Sequence, residues 1–177
     1  LFAVGLLTIC EFGLNLYTGK IGYVVYPGET LLKKTAFLVT VWVGNLCGTF
    51  LSGLAFQSVG NSAITDKAFA LAQTKLEQNF FSTLILGVFC GILMFTAVDV
   101  FKRNAEKPAR HIGILFCVPV FILCGFEHSI ADMAYFSLSP FSTLFSGKAF
   151  LFLAAVTLGN SIGGILLPLV FTLDKKH

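Results

Sequence analysis

Cys124-Gly125-Phe126-Glu127-His128-Ser129-Ile130-Ala131-Asp132-Met133 closes a long apolar run, Ile112 to Leu123, that carries no charge of its own. From Glu127 to Asp132 a carboxyl, an imidazole and a second carboxyl arrive within six residues. An isolated ionised side chain at mid-membrane costs about 3 kcal/mol or more, so such groups face a cavity or one another. Gly125 before the glutamate and Ser129 after the histidine predict a broken helix. Unwound backbone at membrane depth is tolerated only where it is buried in protein or lines a water-filled cavity. The stretch therefore reads as a cavity-lining site centred on His128.

The rest of the chain has a membrane composition. Of its 177 residues 56% are hydrophobic and 12% charged, against about 25% charged in soluble domains. An all-α integral membrane protein in contact with the lipid bilayer follows. Twenty phenylalanines and seventeen glycines suit closely packed membrane helices, where small residues let backbones approach. Cys10, Cys47, Cys90, Cys117 and Cys124 all lie in apolar stretches and are expected as free, buried thiols. There is no HxxxH or CxxC spacing, so no metal site is expected; nothing points to a cofactor or to a nucleic-acid partner. The chain opens on Leu1 inside an apolar run, without a charged region and cleavage site, and a helix upstream is expected to be missing.

Five apolar segments can be marked as candidate spans, the first of them short and broken at Gly19-Lys20. They are Leu1 to about Leu16 with a continuation Ile21–Tyr26, Ala36–Ala55, Phe80–Val98, Ile112 to about Tyr135, and Ala149–Leu173. Together they form a single transmembrane domain, 1–177. Gln57 to Gln78 is a polar stretch between the second and third.

Gly44-Asn45-Leu46-Cys47-Gly48 in the second segment is repeated as Gly159-Asn160-Ser161-Ile162-Gly163 in the fifth. The copies lie three segments apart, and an odd offset gives them opposite orientations. A broken stretch precedes each, Gly13 to Gly19 and Gly125 to Ser129. This is the pattern of an inverted repeat of three-helix units, with its site at the repeat interface. Two unrelated small-xxx-small packing faces are the simpler alternative. In either case Gly44, Gly48, Gly159 and Gly163 are expected at close helix contacts, with Asn45 and Asn160 in structural roles.

If locally helical, Phe121, Cys124, His128 and Asp132 share one face. A histidine titrates near neutrality and can exchange protons with a passing weak acid; a histidine that merely bridges helices is the alternative. An ionised Asp132 one turn away favours the charged imidazole. Glu127 points elsewhere and is expected to brace the unwound backbone. Glu11 and Asn15 are one turn apart in the first segment, where burial would favour a protonated Glu11. Leu16-Tyr17-Thr18-Gly19-Lys20 reads as a loop inside the membrane offering the Thr18 hydroxyl, or else as a helix end with a glycine cap. Phe2 and Leu6, one turn apart, suit a hydrophobic constriction. Lys75, before the third segment, is either a cation at a pore mouth or a solvated surface lysine.

Gly125-Phe126-Glu127-His128-Ser129-Ile130-Ala131-x-Met133, Leu16-Tyr17-Thr18-Gly19 and the two GNxxG copies together resemble the formate/nitrite transporter family, from its second helix to the end of its sixth; its first helix has no counterpart. The resemblance implies an aquaporin-like fold, a homopentamer with one pore per subunit, and small monovalent anions such as formate, nitrite, hydrosulfide, lactate or acetate. By position it makes His128 the central histidine, Thr18 the loop threonine and Lys75 the vestibule lysine. It makes Phe2, Leu6, Leu16, Tyr17 and Phe121 the constriction. The sequence departs from the family pattern at Asn15, where an acid is usual, at Lys20, at Gly91, where some members place a pore-facing asparagine, and at Asp132, where asparagine is usual.

The reading is a cell-membrane channel or proton-linked carrier for small weak-acid anions, with a proton supplied by His128 or by bulk water. The alternatives are a non-conducting membrane subunit and a membrane-embedded enzyme using Cys124 and His128, against which stands the apolar setting of the thiol. Eight basic residues, Lys33, Lys34, Lys102, Arg103, Lys107, Arg110, Lys175 and Lys176, fall on one side, and Lys67, Lys75 and Lys148 on the other. The richer side is expected in the cytoplasm. Cysteines introduced in the 102–110 loop and at the C-terminus should resist impermeant thiol reagents in intact cells. Labelling of either from outside overturns this orientation.

Overall fold

The computed structural model describes residues 2–174. Leu1 and Lys175 to His177, with two of the basic residues counted above, lie outside the described residues, as do the side chains of Lys107 and Asp174. Every regular element among the described residues is helical. In order they are α1 (Phe2–Glu11), α2 (Tyr17–Lys20) with a 3₁₀ turn Ile21–Val25, α3 (Leu31–Gln57), α4 (Ser62–Leu76), α5 (Phe80–Arg103), α6 (Lys107–Leu123), α7 (Ser129–Ser137), α8 (Phe141–Leu144) and α9 (Gly147–Asp174).

Three helices, α3, α5 and α9, are long and apolar enough to cross a membrane. At 1.5 Å per residue, about 20 residues suffice for the roughly 30 Å hydrocarbon core. The other two apolar segments are each split in two, α1 from α2 and α6 from α7. The splits have the same construction. Gly13 and Gly125 both take φ +66°, the left-handed conformation that glycine adopts without a Cβ clash. After α1, Gly13 N–H donates to Cys10 O (3.3 Å) and Leu14 N–H to Ile9 O (2.8 Å); after α6, Gly125 N–H donates to Ile122 O (3.2 Å) and Phe126 N–H to Phe121 O (2.9 Å). These are two Schellman motifs, each closing its helix by satisfying carbonyls that the missing next turn would have used.

The asparagines of the two GNxxG copies hold the backbone that follows each break. Asn45 Oδ1 accepts from Tyr17 N–H (3.0 Å) and its Nδ2 donates to Asn15 O (3.1 Å). Asn160 Oδ1 accepts from Ser129 N–H (2.9 Å) and its Nδ2 donates to Glu127 O (2.8 Å). Each amide thus spans residues two apart across an extended middle residue, Leu16 in one case and His128 in the other. The repeat seen in the sequence is a repeat of local structure.

The glycines divide. A Cβ on Gly159 would meet Leu84 O at 2.3 Å, and one on Gly163 would meet Val88 O at 1.9 Å. These two let α9 lie directly against α5, where Asn160 also donates to Gly87 O (2.9 Å). Gly44 and Gly48 have nothing within 4 Å of the corresponding position. The expectation of close contact at all four is therefore corrected: among the described residues of this one chain, only Gly159 and Gly163 make it. Gly91 lies under α9, where a Cβ would stand 2.3 Å from Asn160 O.

The polar stretch before the third span is also an element. Ser62–Leu76 is the helix α4, built from good helix formers, alanine and lysine prominent among them. It buries Ala68 and Ala72 on one face and carries Lys75 inward. At one end of the bundle Arg103 Nη2 donates to Tyr26 OH (2.6 Å), Arg103 Nε and Tyr23 OH donate to Asp99 Oδ1 (2.8 and 3.0 Å), and Lys34 Nζ donates to Val24 O (3.2 Å). Lys34 and Arg103, assigned to one side by charge, thus share one end.

Replacing Gly163 by alanine should force α9 off α5 and strip the protein of its monodisperse peak in detergent, while Gly44→Ala should be nearly silent in the chain described. Asn160→Ala strands a buried amide and two carbonyls, at about 1–3 kcal/mol per buried group, and should lower the thermal midpoint by several degrees. An unchanged midpoint for Gly163→Ala refutes the packing account.

Candidate functional site

His128 is the residue between α6 and α7, and its backbone is extended (φ −115°, ψ 111°). That conformation makes it the N-cap of α7: ring Nδ1 accepts the Ala131 N–H at 3.1 Å. A cap accepts with a lone pair, so the hydrogen of the neutral ring sits on Nε2. Nε2 lies 2.8 Å from Thr18 Oγ1. With Thr18 0% and His128 1% exposed, this bond joins the two broken segments in the interior.

One side of the imidazole is apolar. Phe2 packs edge-on against it with centroids 5.0 Å apart, Phe121 lies at 5.8 Å, and the two phenyl rings are 5.2 Å from each other. Leu6, Leu16 and Phe121 are buried in the same cluster, with Phe2 and Tyr17 at its edge. The five residues expected as a constriction are thus brought together. Tyr17 differs from the others in directing its hydroxyl to Ser161 Oγ at 2.9 Å.

The other side is charged. Lys75 Nζ, reaching across from α4, bonds Glu127 Oε2 and lies 3.0 Å from Asp132 Oδ1. Gln78 Nε2 donates to Glu127 Oε1 (2.8 Å), and Thr83 Oγ1 donates to Gln78 Oε1 (3.2 Å). The Tyr135 ring lies 5.6 Å from the ammonium. Lys75, Gln78, Glu127, His128, Asp132 and Tyr135 line a cavity of about 370 Å³ together with Phe2 and Phe121. Glu127 accepts from Asn160 at its carbonyl and from Lys75 and Gln78 at its carboxylate.

Four expectations are corrected here. Lys75 is not a solvated surface lysine: it lines the cavity, and two carboxylates face it. Asp132 engages Lys75; the imidazole is occupied by Thr18 and Ala131, so the expected His128–Asp132 pair is absent. Cys124 does not share a helical face with His128, since α6 ends at Leu123 and Cys124 is exposed, as is Cys47. Glu11 is not buried: it is 54% exposed and pairs with His111 at 2.8 Å. Sequence reasoning missed Gln78 and the amide chemistry of Asn45 and Asn160. The asparagine common to both GNxxG copies was the available signal. Among the described residues no cluster of His, Cys, Asp and Glu is arranged to hold a metal.

Residues 1–173 match the formate/nitrite transporter family. The nitrite transporter NirC of Escherichia coli (strain K12) is 27% identical over 176 residues, 92% of this chain and 65% of the relative. The formate channel BtFdhC of Bacillus thuringiensis is 29% identical over 178 residues, 92% of this chain and 66% of the relative. The chain thus spans about two thirds of the length of these curated relatives. An FNT family ion channel superposes with TM-score 0.85 at 26% identity, over 95% of this chain and 72% of that one. A pentameric formate channel with formate bound shares the fold at TM-score 0.83 and 23% identity, over 99% of this chain and 81% of that one. A match along nearly the whole sequence, on a fold with two broken helices meeting at one histidine, places the chain in the formate/nitrite transporter family.

Proposed function

We propose that this chain forms the pathway of a homopentameric cell-membrane channel or transporter for small monovalent anions of weak acids, such as formate, nitrite or hydrosulfide, with its C-terminal end in the cytoplasm. The names of its relatives, a nitrite transporter and a formate channel, support the substrate class. The observation that carries the reading is the Thr18–His128 bond at 2.8 Å, set between an apolar ring cluster and a cavity with charged walls.

Each residue then has a role. The cavity holding Lys75 and Gln78 receives the anion, where N–H donors can replace part of its water. Phe2, Leu6, Leu16, Tyr17 and Phe121 close the path to hydrated ions, because an apolar wall offers no replacement for lost water. Thr18 Oγ1 and His128 Nε2 satisfy one another. A small acid that separates them finds a ring N–H donor and a hydroxyl at the narrowest point. Bare charge is costly in such a low dielectric, so the neutral acid crosses the apolar part more cheaply than its anion does.

Stopped-flow flux in liposomes containing the full-length protein tests the reading with formate, nitrite, hydrosulfide and acetate. At least one should move well above protein-free vesicles. Phe121→Ala should raise flux severalfold and admit larger acids such as lactate, and His128→Phe should reduce flux at least tenfold. Native protein that moves none of the four anions sinks the proposal.

A further inference from the structure

The charges in the cavity do not balance. One ammonium, Lys75, faces two carboxylates, Glu127 and Asp132. Glu127 is fully partnered, Oε2 on Lys75 and Oε1 on Gln78. Asp132 is not: its Oδ1 sits 3.0 Å from Nζ without hydrogen-bond alignment, and Oδ2 has no hydrogen-bond partner among the described residues. It is only 1% exposed. A buried carboxylate left without full compensation costs several kcal/mol, and such a group neutralises itself by taking a proton. A protonated carboxyl in turn carries an O–H that needs an acceptor; the Glu127 carboxylate lies within reach of it, and so does an anion in the cavity that Asp132 lines.

We propose that Asp132 is the proton donor of this site, a carboxyl that protonates a weak-acid anion in the cavity and so makes transport by this chain proton-linked. The proposal rests on the transport reading above and names the residue that supplies the proton. In the step the O–H bond of Asp132 breaks and its electron pair stays on the carboxylate. The proton bonds to an oxygen of formate or nitrite, or to the sulfur of hydrosulfide, giving the neutral acid. Lys75 Nζ holds the carboxylate until a proton from the medium restores it. Lys75 itself is 15% exposed, so the cluster touches the medium.

The neighbouring groups suit the task less well. His128 Nδ1 is engaged as acceptor of the Ala131 N–H, so a second ring proton would cost α7 its cap. Loss of a proton from Lys75 would leave Glu127 and Asp132 without a counter-charge. Tyr135 lies beside the ammonium and Cys90 of α5 within electrostatic reach of Asp132; phenols and thiols are as a class weaker acids than carboxyls. Asparagine, usual at this position in the family pattern, has no proton to give.

The test uses the full-length protein in liposomes carrying a lumenal pH dye, with an inward formate gradient. Native protein should acidify the lumen at least tenfold faster than protein-free vesicles, without valinomycin and potassium to carry compensating charge. Its flux should fall as pH rises. Nitrate, a strong-acid anion, should be excluded. Asp132→Asn should lose acidification at least tenfold, become dependent on valinomycin, admit nitrate and lose its pH dependence. Asp132→Glu should retain the native behaviour, which separates proton donation from mere structural support. Native protein that carries formate only when charge is compensated overturns the proposal whatever the variants do. So does Asp132→Asn that keeps native acidification and pH profile; in both cases transport itself stands. Native protein that moves no anion removes the transport reading and this proposal with it.

Discussion

A backbone amide or carbonyl at membrane depth must find a partner, and the structure depends on how this chain meets that demand at its two broken helices. A continuous helix satisfies itself; a chain that unwinds to present His128 and Leu16 forfeits those bonds. Asn45 and Asn160 restore them from α3 and α9, and the Schellman glycines finish the helix ends. Only on that framework can the Thr18 hydroxyl meet the His128 ring. The bond between them joins two breaks that are each held from outside.

The charged cluster does a related job by another means. Lys75 anchors α4, an amphipathic helix with a modest apolar face, to Glu127 and Asp132 on either side of His128. Removing Lys75 would leave its carboxylate partners without a counter-charge, at about 3–5 kcal/mol. The cluster is therefore structural as well as electrostatic. Its excess carboxyl distinguishes this chain from the pattern its family would lead one to expect. Anchoring and charge asymmetry are two aspects of the same three side chains.

Much of this was legible in the sequence. Gly125 and Ser129 around a histidine in an apolar run announced a break, and the two GNxxG motifs announced a repeat. What the sequence could not show were relations between distant residues. Asp132 was paired with His128 because helical spacing puts residues four apart on one face. His128 is extended, so that geometry does not apply, and the true partner comes from α4. The motifs were read through their glycines because small residues suggest packing; only two of the four glycines pack in this chain, whereas both asparagines act. Helix α4 was passed over because polar, alanine-rich stretches give a weak signal in a search tuned to apolar runs.

The paired asparagine clamps also bear on how the molecule can move. A motion that rocked the broken segments away from α3 and α9 would leave the amides of Tyr17 and Ser129 and the carbonyls of Asn15 and Glu127 unmet in a dry interior, a penalty incurred at every cycle. Rotation of the Thr18 and His128 side chains, or a swing of the Phe2 and Phe121 rings, leaves all of those bonds intact. The architecture thus resembles a fixed aperture with a soft lining more than a hinge. Its opening would be a matter of side-chain rotamers rather than of collective rearrangement of helices.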